Sequence, residues 1–350
     1  MHPTIKRMTA VAAIAVLGLG LTGCNASANT GNDTNSGNGE SDGPTLILVT
    51  PEPAGANEFL QLAIQGIEEA AEAVDGSSRV FESANISKVS EQLDAAIAAK
   101  PDVIVAVGFE FVDSITALAP NNPEQQFLFV DACIADALPN VSCAVFREHE
   151  AVYLAGVEAG LITESNKVGA VVALDTPQIR RFSDPFGVGA QSVNDAVQFT
   201  PLYVGGQNPF NDPGRAKEQA LSLANAGVDI VMASSAGGNS GVFDAAKSSG
   251  SLAIGVDTNQ CPQAPGAVLD NVLKEVNVVI SASVEAIVGG LTGDVKSYGL
   301  AEGAVTLTSL TDGVGESGCV IADYPEIIEQ VKAVSDQIVS GDVTVDDPAA

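Results

Sequence analysis

Apolar and polar positions along the chain alternate between two periodicities. Unbroken apolar runs stand at residues 45–50 (TLILVT), 102–107 (DVIVAV), 126–131 (QFLFVD) and 141–146. Further runs follow at 167–174 (KVGAVVAL), 197–204, 229–234 (DIVMAS) and 251–256, with strand-like pieces over 298–307. Runs this short, apolar throughout, read as strands buried on both faces. Between them the spacing turns helical. Over 58–74, Leu62, Ile64, Ile67, Ala70 and Ala71 form one stripe. The same pattern predicts helices over 87–99, stopped by Pro101, and over 111–119. After residue 147 the pattern restarts. A helix rich in small residues is predicted over 148–163, and others over 186–194, 213–226, 241–249, 271–291 and 325–339. Asp212-Pro213 supplies a cap and first turn for the third of these. Strand–helix alternation in two successive blocks predicts an α/β protein of two lobes, each with a mostly parallel sheet. Ligands of such folds bind at the carboxyl ends of the strands, so two facing lobes enclose one cleft.

The first 43 residues break this pattern. Lys6 and Arg7 precede an apolar run from Ala10 to Thr22 that is too short to span a bilayer core of ~30 Å. It ends in Leu21-Thr22-Gly23-Cys24, a lipobox, which predicts a signal peptide over 1–23 and lipidation of Cys24. Residues 24–43, nearly all Asn, Ser, Gly, Thr, Asp and Ala, read as a flexible tether. The expected place is the extracytoplasmic face of the cell membrane. Cys133, Cys143, Cys261 and Cys319 remain as disulfide candidates in three possible pairings.

Charge narrows the function classes. The chain has 15 basic and 44 acidic residues, a net −29 that becomes −31 once Lys6 and Arg7 leave with the signal. Such a surface argues against binding nucleic acid. With only His2 and His149, and no phosphate-binding loop, GxSxG elbow, HExxH or CxxC, neither an enzyme nor a metal or cofactor site is expected. A surface hydrolase would need clustered aspartates at a strand end, and no DxD run occurs there.

The strand ends are more informative. Thr50 leads into Pro51, Glu52 and Pro53, then Asn57 and Phe59. Val107 leads into Gly108 and Phe109, Val130 into Asp131, Ser235 into Ala236, Gly237, Gly238 and Asn239, and Val256 into Asp257. Aromatic rings there can stack on a planar ligand, and carboxylates can accept hydrogen bonds from hydroxyl or N–H groups.

Longer stretches sharpen this. PDVIVAVGFEF (101–111), FLFVDA (127–132), VFREHEAVYLAGVEAGL (145–161), KVGAVVALDTPQIRRF (167–182), YVGGQNPFNDPGRAKEQA (203–220), AGGNSGVFDAAK (236–247), AIGVDTNQ (253–260) and VLDNVLKEVNVVI (268–280) together resemble the basic membrane protein family of lipoproteins. These are substrate-binding components of ABC importers, many of which bind purine nucleosides. The resemblance implies the type I periplasmic-binding-protein fold, two Rossmann-like lobes with parallel sheets and a hinge of three crossovers. The lobes are expected at 44–146 with 262–300, and at 147–261 with 301–342, leaving 343–350 as a tail. By the same resemblance Phe59 matches the aromatic stacked on the base, Asp131 a ligand-contacting aspartate, and Asp257 the aspartate that accepts ribose hydroxyls. Lys274 matches a lysine beside the ribose, and Gly237 and Gly238 the glycines that let the ligand approach the backbone. Phe186 and Arg180 are candidates from the second lobe. Where members commonly carry Thr-Asp after the first strand, this chain has Thr50-Pro51-Glu52-Pro53, and Glu52 or Asn57 is expected in that role unless the ligand is of another kind. The implied partners are ABC permease subunits. A ligand-sensing lipoprotein that reports to a membrane signalling partner would use the same cleft.

Overall fold

A computed structural model describes residues 43–350 of the chain. The expected signal peptide, Cys24 and most of the tether lie outside the described residues. The first lobe runs β1 (Thr45–Thr50), α1 (Glu58–Ala73), β2 (Ser77–Glu82), α2 (Val89–Ala98), β3 (Val103–Val107), α3 (Val112–Leu118), β4 (Gln126–Val130) and β5 (Val141–Phe146). The chain then crosses over into α4 (Glu148–Ile162), β6 (Lys167–Val172), α5 (Pro177–Arg180), α6 (Asp184–Val193), β7 (Gln198–Tyr203), α7 (Pro213–Asn225), β8 (Ile230–Ser234), α8 (Asn239–Ser249), β9 (Leu252–Asp257) and β10 (Val268–Lys274). It returns through α9 (Val276–Val288) and β11 (Val295–Tyr298), crosses again to β12 (Val305–Leu307), and ends with α10 (Pro325–Ser340).

Two six-stranded sheets result, ordered β11-β5-β4-β3-β1-β2 and β12-β10-β9-β8-β6-β7. All pairings are parallel except β10 with β12. The apolar runs follow from burial on both faces. Leu46 and Leu48 of β1 pack with Leu60, Ile67 and Ile280, while Ile47 and Val49 join Leu93, Ile104, Phe127 and Phe129 on the opposite side. In the second lobe α4 lies directly on α6. A side chain at Gly156 would meet the Phe186 carbonyl oxygen at 2.1 Å, and one at Gly189 the Tyr153 carbonyl oxygen at 2.1 Å. That close approach is why α4 is built from small residues.

Three corrections to the sequence reading follow. Strand β2 (SSRVFE) was not predicted, because an edge strand with exposed Ser77 and Glu82 carries no continuous apolar run. The helix expected over 271–291 is a strand to Lys274 and a helix only from Val276, since the run VLDNVLKEVNVVI satisfies both periods. Because β10 pairs with β9 through Asn271↔Gly255 and Val272↔Val256, residues 268–274 belong to the second sheet. The return to the first lobe is therefore at Glu275, not at residue 262. The strand-like pieces expected over 298–307 are two short strands, one in each sheet, and the first begins already at Val295.

The connections at Arg147, at Glu275 and over 299–304 are the three crossovers. Arg147 ties the first to the third: Nε and Nη2 reach Glu150 at 2.7 Å and Glu302 at 2.5 Å, and its backbone N–H donates to the Tyr298 carbonyl at 2.7 Å. Glu275 N–H donates to the Ala304 carbonyl at 2.9 Å, joining the second to the third. Disulfides link Cys133 to Cys143 and Cys261 to Cys319. Among the described residues no helix is long and apolar enough to cross a membrane.

Candidate functional site

The carboxyl ends of the strands of both sheets converge on a cleft between the lobes, the place where folds of this kind take their ligands. From the first lobe it is lined by Glu52 after β1, Asn57 and Phe59 at the start of α1, Gly108, Phe109 and Glu110 after β3, and Asp131 after β4. From the second come Phe182, Phe210, Ser234, Ala236, Asp257 and Lys274. Local chemistry sets these positions. Asn57 caps α1, its side-chain oxygen accepting from Leu60 N–H at 3.3 Å, so Phe59 enters the helix facing the cavity wall. Gly108 has φ +105°, and a side chain there would meet the Glu110 carboxylate at 2.5 Å. Asp131 and Asp257 close β4 and β9 with φ +73° and +71°, a left-handed conformation that aspartate tolerates better than most residues.

Lys274, the last residue of β10 and only 3% exposed, organises the charge. Its ammonium contacts the Asp131 carboxylate and lies 2.7 Å from Glu148 Oε1. It also sits over the rings of Phe146 and Phe59, at 4.5 and 4.7 Å from their centroids. Burial alone would discharge the lysine, but Asp131, Glu148 and Asp257 outweigh it and hold the ammonium above its ordinary value. The carboxylates respond in opposite directions. Burial raises Asp131, against the pull of Lys274. For Glu148 burial is outweighed by Lys274 and Arg181, and its carboxyl falls below the usual range. Burial pushes Asp257 up to about 7, with Lys274 opposing, and pushes Glu110 up to about 7, helped by Asp131 and Glu52.

The two lobes meet around this cavity. Phe109 of the first faces Phe210 of the second, centroids 6.3 Å apart. The Glu58 carboxylate at the start of α1 accepts from the Thr258 hydroxyl, from Gln260 Nε2 at 2.7 Å and from Gln263 Nε2 at 2.8 Å. This is a closed arrangement.

The structure brings Asn57, Phe59, Gly108, Phe109, Asp131, Asp257 and Lys274 into one wall. Four sequence candidates lie elsewhere. Phe186 is fully buried in α6 and packs edge-on against Phe199 at 6.1 Å, so it belongs to the core. Gly237 and Gly238 turn the chain into α8 beside Asn211 and Ser235, and Ala236 lines the cavity instead. Arg180 points away to an ion pair with Asp175 at 2.7 Å. Sequence reasoning passed over Phe182, Phe210 and Glu110. Glu110 directly follows Gly108-Phe109 at a strand end, and Phe210 sits in an Asn- and Pro-rich loop after β7, so the strand-end criterion reaches both. Among the described residues no group of three or more His, Cys, Asp or Glu is arranged to hold a metal.

Known proteins are similar to this chain along most of its length. The sequence model of the Bmp family, described as PnrA-like ABC transporter substrate-binding proteins, matches residues 48–344. A CD4+ T-cell-stimulating antigen of Listeria innocua is 27% identical over 97% of this chain and 99% of its own length. The ABC transporter nucleoside-binding protein BmpA of Lactococcus lactis is 28% identical, again over 97% and 99%. A solute-binding protein of an ABC transporter system from Aeropyrum pernix has the same fold, with a TM-score of 0.77 and 24% identity over 88% of this chain and 94% of that one.

Proposed function

The chain belongs to the Bmp family of PnrA-like ABC transporter substrate-binding proteins, and on that premise we propose that it captures a purine nucleoside outside the cytoplasm and delivers it to a permease. Members of this family bind substrates and are not enzymes. The observation that carries the reading is the composition of the cavity. Phe59, Phe109, Phe182 and Phe210 offer faces to a planar base, while Asp131, Asp257 and Lys274 offer acceptors and a donor to the hydroxyls of a sugar. A nucleoside would use both sets of groups at once. The nucleoside-binding name of the Lactococcus relative supports the same class. Glu52 or Asn57, beside Phe59, takes the role of reading the edge of the base.

Capture proceeds by closure. An open cleft admits the ligand, the lobes rotate about the crossovers at 147, 275 and 299–304, and the closed form traps it behind the Phe109–Phe210 contact. Lipidation at Cys24 would hold the receptor at the membrane next to its permease. A thermal-shift panel of purine nucleosides, pyrimidine nucleosides, free bases and ribose tests the ligand class. Purine nucleosides should raise the melting temperature most. Stabilisation by ribose alone, or by no nucleoside, would overturn the reading.

A further inference from the structure

Lys274 is the inner end of a longer chain of charges that reaches the C-terminus. Glu148 holds it at 2.7 Å with Oε1, while the other oxygen, Oε2, is buried without a hydrogen-bond partner. The nearest cation to that oxygen is Arg181 Nη1, 3.7 Å away. Nη1 also donates a long bond to the Phe146 carbonyl at 3.4 Å, but what chiefly keeps Arg181 at that distance is the clamp on the rest of its guanidinium. Asp347 accepts from Nε at 2.7 Å and from Nη2 at 2.6 Å, a two-bond fork. The segment carrying Asp347 is itself fastened, with Val343 N–H on the Gln337 carbonyl at 3.0 Å and Ala349 N–H on Asp347 Oδ1 at 2.9 Å.

We propose that Asp347 is a positioning residue for the ligand site, keeping Arg181 from competing with Lys274 for Glu148. The inference rests on the nucleoside-binding reading for its functional consequence. Without Asp347 the guanidinium is free to advance on the vacant Glu148 oxygen. Glu148 then turns from Lys274, and Lys274 draws more heavily on Asp131, the carboxylate a sugar hydroxyl needs. Asp347 thus acts on the binding site although it does not line the cavity.

A double-mutant cycle tests this with inosine as the probe, using calorimetry for affinity and urea unfolding for stability. Asp347→Asn should weaken inosine binding by about five- to tenfold, the size of coupling usual between neighbouring charges. Asp347→Glu should recover most of the loss, and Asp346→Asn should bind as the parent does. Combined with Glu148→Gln, Asp347→Asn should add little, because the object of competition has lost its charge. If Glu148→Gln does not fold, Arg181→Gln replaces it, since without the competitor Asp347 has nothing to restrain. Parent-like affinity in Asp347→Asn, or strictly additive losses in the cycle, would overturn the proposal, as would a loss of stability without loss of affinity. If the parent protein takes up no inosine, the nucleoside reading fails by itself. The cycle is then read in unfolding free energy, where non-additivity supports the charge chain and additivity removes it.

Discussion

Asp131 and Asp257 occupy matching places, one at the end of β4 and one at the end of β9, both with positive φ and both within the field of Lys274. The pocket holds four acidic side chains, Glu52, Glu110, Asp131 and Asp257, and the lysine offsets the burial of two of them, Asp131 and Asp257. Asp257 gives this a measurable consequence. Its carboxyl is raised to about 7, chiefly by burial, from an unfolded value of about 3.9. The folded protein therefore binds this proton more tightly than the unfolded chain. The stability this contributes is fully present below about pH 4 and is lost as pH rises toward about 7. Asp257→Asn removes the titration, so between about pH 4 and 8 the parent should lose stability relative to the variant in urea unfolding; parallel curves would contradict the assignment. Phe59 tests the other half of the pocket. Truncation to Ala should weaken nucleoside binding by about 1–3 kcal/mol, the usual worth of a base stacked on an aromatic ring, with unchanged affinity the contrary result. At this scale the sequence disclosed most of the wall, because strand ends are where apolar runs stop. It misplaced Phe186 against Phe182. Both lie in the stretch RRFSDPF, and only the turn between α5 and α6 decides which ring faces the cleft.

The central strands were legible because sheets covered on both faces demand unbroken apolar runs, as in β1, β3 and β6. Edges are different. β2 alternates exposed and half-buried positions, so its sequence reads as a loop. β10 was lost for another reason: its seven residues run almost directly into α9, leaving no turn residue to mark the change of period. That junction is a crossover, and a tight one is what places Lys274 between the lobes. The pairing of the cysteines was not legible either, since any of three pairings fits the spacing. The two bonds close loops with sequence separations of 10 and 58, worth about 3 and about 4 kcal/mol in the chain-entropy account. Replacing Cys261 and Cys319 by Ala should therefore cost more stability than replacing Cys133 and Cys143. It should also speed amide exchange over residues 308–324, which the longer bond fastens beside β10. An equal or reversed ranking in unfolding experiments would contradict this.

For the molecule as a whole, the proposed capture is a contest between open and closed forms, and the contacts between the lobes seen here would fasten the closed one. Glu58 belongs to the first lobe, and the three groups that donate to it belong to the second. Hydrogen bonds to a charged acceptor contribute about 1.5–3 kcal/mol when well buried and less here, where the carboxylate is partly wet. Glu58→Ala should shift the ligand-free protein toward the open form, seen as a larger radius of gyration in solution scattering, and should weaken ligand binding in proportion. Unchanged scattering together with unchanged affinity would show that the lobes close without this contact. The chain is strongly acidic, −29 over its whole length, and the proposed account places specificity not there but in the cavity where one buried lysine meets aspartates and aromatic rings. The measurement that tests the central claim most directly is a calorimetric titration of the purified protein with inosine. The account predicts saturable one-to-one binding that Asp257→Asn and Phe59→Ala each weaken, the first through the sugar and the second through the base. A flat titration, or binding indifferent to both substitutions, would contradict it.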